Sequence, residues 1–182
     1  STLIKKFMDL LVLPNMEDGF KKERARDEMP QSGTGRSIMT TQPKFVPNEA
    51  VDITIRETAN FRVRMVDCVG YLVKGAIGHM EGDGPRMVRT PWFDYDIPFE
   101  EAAELGTRKV ITDHSTIGLV VTTDGSITDI PRANYVEAEE RVISELKEIN
   151  KPFIIILNSR HPESQETVIL KNALEEKYDV PV

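Results

Sequence analysis

Two alternating stretches, Val51-Asp52-Ile53-Thr54-Ile55 and Phe61-Arg62-Val63-Arg64-Met65-Val66, lead to the first side chain with a chemical use, Asp67. It leaves an apolar run and is followed three residues on by Gly70. A carboxylate there, beside a residue whose backbone can approach a ligand closely, suits the magnesium of a nucleotide. Further polar groups close two other apolar runs. Thr122 and Asp124 follow Ile117-Gly118-Leu119-Val120-Val121, and Asn158 follows Phe153-Ile154-Ile155-Ile156-Leu157. Ligands of α/β sheets bind beyond the carboxyl ends of the strands. The spacing therefore predicts that Asp67, Thr122, Asp124 and Asn158 converge on one cleft. His79, His114 and His161 lie far apart and, with Cys68, show no metal-ligand spacing. The Gly33/Gly35 pair lacks the spacing of a dinucleotide fingerprint, and no serine has a nucleophile-elbow context.

The elements that must position these residues follow from periodicity. The short link Glu57-Thr58-Ala59-Asn60 makes an antiparallel hairpin the natural pairing of the first two runs. Residues 2–12 predict a helix burying Leu3, Ile4, Phe7, Met8, Leu10 and Leu11, stopped by Pro14. Its abrupt start suggests that a preceding strand and loop belong with it. Residues 15–26 are polar and helical in part, and 27–48 are rich in turn formers. Residues 71–100 mix glycine and proline with Trp92, Phe93, Tyr95 and Phe99, which suggests a packed excursion or a protein contact surface. A short helix over 99–105 ends at Gly106, and residues 107–116 form a link. Residues 117–122 and 153–157 read as strands buried on both faces of a parallel sheet. Helices over 135–149 and 165–178 cross between strands, and Val180-Pro181-Val182 begins one more. The fold class predicted is α/β: three layers, a mostly parallel sheet and one antiparallel edge hairpin.

Composition narrows the function. With 182 residues, 40% of them hydrophobic, one domain with a real core is expected. Thirty acidic against 23 basic side chains give a net charge of −7, which opposes broad binding to nucleic-acid phosphates. One small anionic ligand held by backbone N–H groups is compatible with that charge. A single cysteine fits a reducing compartment. No run approaches the roughly 20 apolar residues of a membrane helix, so membrane contact is expected to be peripheral.

Several longer runs are more specific than any of these motifs. Ser1-Thr2-Leu3-Ile4-Lys5-Lys6-Phe7, Thr40-Thr41-Gln42-Pro43-Lys44-Phe45-Val46-Pro47, Val66-Asp67-Cys68-Val69-Gly70-Tyr71 and Asn158-Ser159-Arg160-His161-Pro162 closely resemble the stage IV sporulation protein A family of endospore-forming bacteria. So do Arg108-Lys109-Val110-Ile111-Thr112-Asp113-His114-Ser115-Thr116 and Val121-Thr122-Thr123-Asp124-Gly125. The resemblance implies a magnesium-dependent ATPase that self-assembles into the basement layer of the spore coat. It implies a cytoplasmic location, on the mother-cell side at the forespore outer membrane. Its partners would be further copies, spore coat proteins and a small membrane-surface anchoring protein. It also implies a P-loop NTPase-like domain similar to translation-factor GTPases. Residues 1–182 would then be part of that domain, without its first strand and most of the phosphate loop. Residues 71–116 would be an insertion on its switch II side.

By the same resemblance Ser1 closes the phosphate loop and takes the magnesium, with Thr2 opening the helix behind it. As a sequence feature alone Ser1 is a helix cap. Thr40 or Thr41, with Thr41 favoured, matches the switch threonine of the magnesium shell, although either also reads as a loop threonine. Asp67 matches the carboxylate that holds magnesium through water, and Gly70 would offer its N–H to the terminal phosphate. Tyr71 stands where related GTPases carry a water-orienting glutamine, which leaves Asp113, His114, Ser115 and Thr116 as candidates for that role. At Asn158-Ser159-Arg160-His161 the guanine-reading pattern Asn-Lys-x-Asp has lost its carboxylate. An unmet guanine N–H costs roughly 1–3 kcal/mol, about one to two decades of preference, and fits adenine or weak base discrimination. The chain alone, lacking the phosphate loop, is expected to bind ATP poorly. The alternative is a nucleotide-independent structural assembly module that uses the aromatic loop 71–99.

Overall fold

The computed structural model describes residues 2–30, 42–56 and 58–182. They form two compact units, one ending at Cys68 and the other running from Val69 to Val182.

In the first unit α1 (Thr2–Phe7) continues through a π-helical turn, Met8–Val12, and a 3-10 turn, Leu13–Asn15. Ile4, Met8 and Val12 recur at intervals of four and are buried together, whereas Leu10, expected inside, is 73% exposed. Helix α2 (Gly19–Asp27) is capped by Asp18, whose carboxylate accepts from the N–H groups of Phe20 and Lys21 at 3.0 and 3.2 Å. The predicted hairpin is present as β1 (Lys44–Ile55) against antiparallel β2 (Ala59–Asp67). Val51 faces Val63 and Ile53 faces Phe61, and a bulge between Val46 and Val51 takes up Pro47, which cannot donate to a ladder. Val46, Val51 and Ile53 close this core over the helices.

The second unit begins with short antiparallel pairs. Strand β3 (Met80–Glu81) pairs with β4 (Gly84–Pro85), and β5 (Met87–Val88) with β6 (Ile97–Pro98). Helix α3 (Phe99–Lys109) passes through Gly106 and runs on into a π-helical turn, Val110–His114. The expected stop at Gly106 does not occur, because Ala102, Ala103, Gly106 and Thr107 form one buried face that the helix must stay regular to present. Strand β7 (Gly118–Thr123) is followed by α4 (Val136–Glu148), β8 (Phe153–Asn158) and α5 (Gln165–Tyr178). β7 and β8 are parallel, with Val120 opposite Ile155 and Thr123 opposite Asn158. Val120, Ile143, Leu146, Ile155 and Leu174 make the second core. Each such side chain contributes about 1.5–3 kcal/mol by leaving water.

The predicted three-layer domain with a mostly parallel sheet is not what forms. Among the described residues there are four two-stranded sheets, three antiparallel and one parallel. The strand–helix–strand reading is right for β7–α4–β8. It does not extend further, because the long hairpin pairs only with itself and closes a separate core. Glycines and prolines, Gly82, Gly84, Pro85, Pro91 and Pro98, hold the strands between them to two residues. Nor are β7 and β8 buried on both faces: Val121 is 52% exposed and Ile154 40%. The strand expected to begin at residues 180–182 is not formed; a single hydrogen bond, from the Ile155 N–H to the Pro181 carbonyl at 2.9 Å, joins that segment to β8.

Candidate functional site

The residues singled out by sequence fall in different places. Ser1 and Thr41, with Thr40, Gly33 and Gly35, lie outside the described residues. Thr2 is the first residue of α1 and is exposed. Asp67 ends β2 as predicted, opposite Lys44, and is partly buried with Cys68. It belongs to the first unit, whereas Gly70, Thr122, Asp124 and Asn158 belong to the second.

Within the second unit the ends of β7 and β8 meet, whereas Asp67, expected to converge with Thr122, Asp124 and Asn158, belongs to the other unit. The Asp124 N–H donates to the Asn158 carbonyl at 3.4 Å, so the exits of β7 and β8 are tied. Asp124 is the centre of a polar cluster. Its Oδ1 accepts from the Ser126 N–H at 2.8 Å and the Ser126 hydroxyl at 2.6 Å. Its Oδ2 accepts from Ser159 at 2.5 Å and from Thr167 at 3.4 Å. Both serines pass the connection on: Ser126 Oγ accepts from the Arg160 N–H and Ser159 Oγ from the His161 N–H, each at 2.9 Å. Partial burial pushes the Asp124 carboxyl up, but the bonds from Ser126, Ser159 and Thr167 outweigh it and hold the pKa at about 2.

A second polar cluster joins α4 and α5. Glu139, on the buried face of α4, receives Arg132 Nη2 at 2.9 Å and the Tyr178 hydroxyl of α5 at 2.7 Å. Arg132 also reaches Thr122 Oγ1 at 3.4 Å. Burial raises the Glu139 carboxyl, and Arg132, Thr122 and Tyr178 together bring it below the usual carboxylate range. Burial and Glu139 push the Tyr178 phenol up to about 12. These groups hold the helices under the strand ends.

Gly70, expected at the terminal phosphate, and its neighbour Tyr71 both have protein partners. The Gly70 N–H donates to the buried Thr107 hydroxyl of α3 at 3.0 Å. The Tyr71 hydroxyl donates to Glu145 of α4, under the Arg141 guanidinium 4.2 Å from its ring. Burial and Glu145 raise the Tyr71 phenol well above its ordinary value. Tyr71 thus clasps α4. Asp113 and His114 end the π-helical turn after α3, and both are exposed, as is Thr116. Sequence reasoning missed Ser126, Ser159 and Thr167. The signals for them were the Asp124-Gly125-Ser126 turn and the Ser164-x-x-Thr167 spacing of a cap, where Ser164 Oγ accepts from the Thr167 N–H. It also placed no buried carboxylate on α4, although Arg132 and Glu139 stand two helical turns apart.

No group of three or more His, Cys, Asp or Glu is placed to hold a metal among the described residues. Magnesium bound with a nucleotide needs only one or two carboxylates beside phosphates and waters. Asp67, an oxygen donor at a strand end, fits that requirement.

The family profile described as stage IV sporulation protein A, ATPase domain, matches residues 1–182. The chain belongs to the stage IV sporulation protein A family. It is 60% identical over 182 residues to the family member of Clostridioides difficile (strain 630), 58% to that of Bacillus anthracis and 57% to that of Bacillus subtilis (strain 168). In each case all of this chain is matched, and it spans 37% of the relative's length. No solved structure matches it. No helix among the described residues is long and apolar enough to cross a membrane.

Proposed function

We propose that this chain is the nucleotide-handling part of a magnesium-dependent ATPase whose turnover drives assembly of the spore coat basement layer. The observation that carries the proposal is membership of a family described as an ATPase domain, at 57–60% identity along the whole chain. Ser1 and Thr2 would lie at the phosphates, Ser1, Thr41 and Asp67 would hold the magnesium, and Asn158 would face the base. Magnesium supplies charge stabilisation to the phosphoryl group. The protein contributes fixed donors and orients the triphosphate for in-line attack by water. Gly70 serves the terminal phosphate if its N–H exchanges Thr107 for nucleotide. Asp113, His114 and Thr116, on the insertion proposed for residues 71–116, are the polar groups proposed for positioning the water. The partners would be further copies, coat proteins and a surface anchoring protein, at the cytoplasmic face of the forespore membrane.

The second reading, a structural module that assembles without nucleotide, is favoured by the apolar side chains that residues 71–99 leave in water: Ile77 and Met80 are about half exposed and Tyr95 is 62% exposed. Sedimentation of the full-length protein separates the two. Pelleting that requires ATP and magnesium and is lost in Asp67→Ala supports the ATPase reading. Pelleting unchanged without nucleotide supports the module.

A further inference from the structure

Asp124 does more than end a strand. Each serine hydroxyl beside it has one proton, and in both Ser126 and Ser159 that proton is given to the Asp124 carboxylate. Each oxygen is thereby left as an acceptor. Ser126 turns its lone pair to the Arg160 N–H and Ser159 to the His161 N–H. One acceptor-only group therefore fixes two successive N–H groups of the loop that leaves β8 at Asn158. The loop is pinned at its start as well, where the Asn158 carbonyl accepts from the Asp124 N–H. Its far end is pinned where the Ser164 N–H donates to the His161 carbonyl at 3.0 Å.

We propose that Asp124 is the positioning residue of the base-facing loop, acting through Ser126 and Ser159, and that it sets the affinity and selectivity for the nucleotide base without taking part in phosphoryl transfer. The inference rests on the ATPase reading above. Where the Asn-Lys-x-Asp pattern is missing, shape must replace a paired acceptor. A loop whose backbone is held by two relayed hydroxyls supplies shape. An amide at position 124 can accept on one side only, so one of the two serines loses the acceptor for its proton.

The test is steady-state ATP and GTP turnover by the full-length protein with magnesium, comparing wild type with Asp124→Asn, Ser126→Ala and Ser159→Ala, and with the Asp124→Asn/Ser159→Ala pair. Thermal melting of each variant checks the fold. Removing one relay is expected to raise KM for ATP about 3- to 10-fold, the worth of one hydrogen bond. In the expected result kcat stays within about twofold, the ATP-over-GTP preference narrows and the paired change is less than additive. A KM for ATP unchanged in all three single variants overturns the proposal, as does a loss confined to kcat. The serine variants keep the carboxylate, so they decide the matter if Asp124→Asn fails to fold. A wild-type protein that turns over neither nucleotide overturns the ATPase reading and this inference with it. An active wild type with unchanged variants overturns the inference alone.

Discussion

Gly125, next to Asp124, shows how tightly the exit of β7 is drawn. Its φ is +91°, in the region that favours glycine, and a Cβ there would lie 2.9 Å from the Arg132 backbone nitrogen. Neither the dihedral nor a backbone atom can yield cheaply. Gly125→Ala is therefore expected to cost about 1–3 kcal/mol, read as a lower urea midpoint with an unchanged slope. Asp124 makes its own prediction with pH. Its folded pKa of about 2 lies below the ordinary 3.8, so its contribution to stability is present above 3.8 and is lost as pH falls from there toward 2. Thermal melts of wild type and Asp124→Asn should differ most above pH 4 and converge as the pH approaches 2. A gap that stayed constant down to pH 2 would show that the carboxylate charge is not what the cluster uses.

The same network explains how the elements are held. Arg132 precedes α4, Glu139 lies on its buried face and Tyr178 ends α5, so one carboxylate ties three segments. Glu139 is 4% exposed, and removing it takes away the carboxylate partner of Arg132 and of the Tyr178 hydroxyl. Glu139→Ala should cost about 3–5 kcal/mol, against about 1 kcal/mol for Tyr178→Phe, which removes one hydrogen bond. Chemical denaturation of the two variants checks that ordering. Most elements were legible in sequence because their signals are local. Helix α5 keeps its predicted bounds, and the hairpin pairs in the register its alternation demands. Gly106 misled because a glycine on a buried helical face resembles a stop signal. On α5 the apolar Val168 and Ile169 are exposed, while Thr167 and Tyr178 are buried. Hydrogen-bond partners on other elements decide such positions, and a single helix's periodicity does not carry them.

At the scale of the molecule, apolar runs predict strands but not which strands share a sheet. Pairing depends on long-range closure, and here the hairpin and the β7–β8 pair belong to separate cores. That is why the parallel strand–helix–strand unit was readable and the sheet as a whole was not. The candidate site divides in the same way. Asp67, Asp124 and Asn158 each stand at a strand end, as their sequence context requires, and the exits of β7 and β8 are joined by a hydrogen bond. Ser126, Ser159 and Thr167 come together only once β7, β8 and α5 have packed. The role proposed for Asp67 at a magnesium-bound triphosphate is tested most directly by phosphate release from ATP by the full-length protein. Magnesium-dependent turnover is expected to fall about 100-fold or more in Asp67→Asn, the loss of roughly 3 kcal/mol of transition-state stabilisation. Turnover within twofold of wild type in a folded Asp67→Asn protein would contradict it.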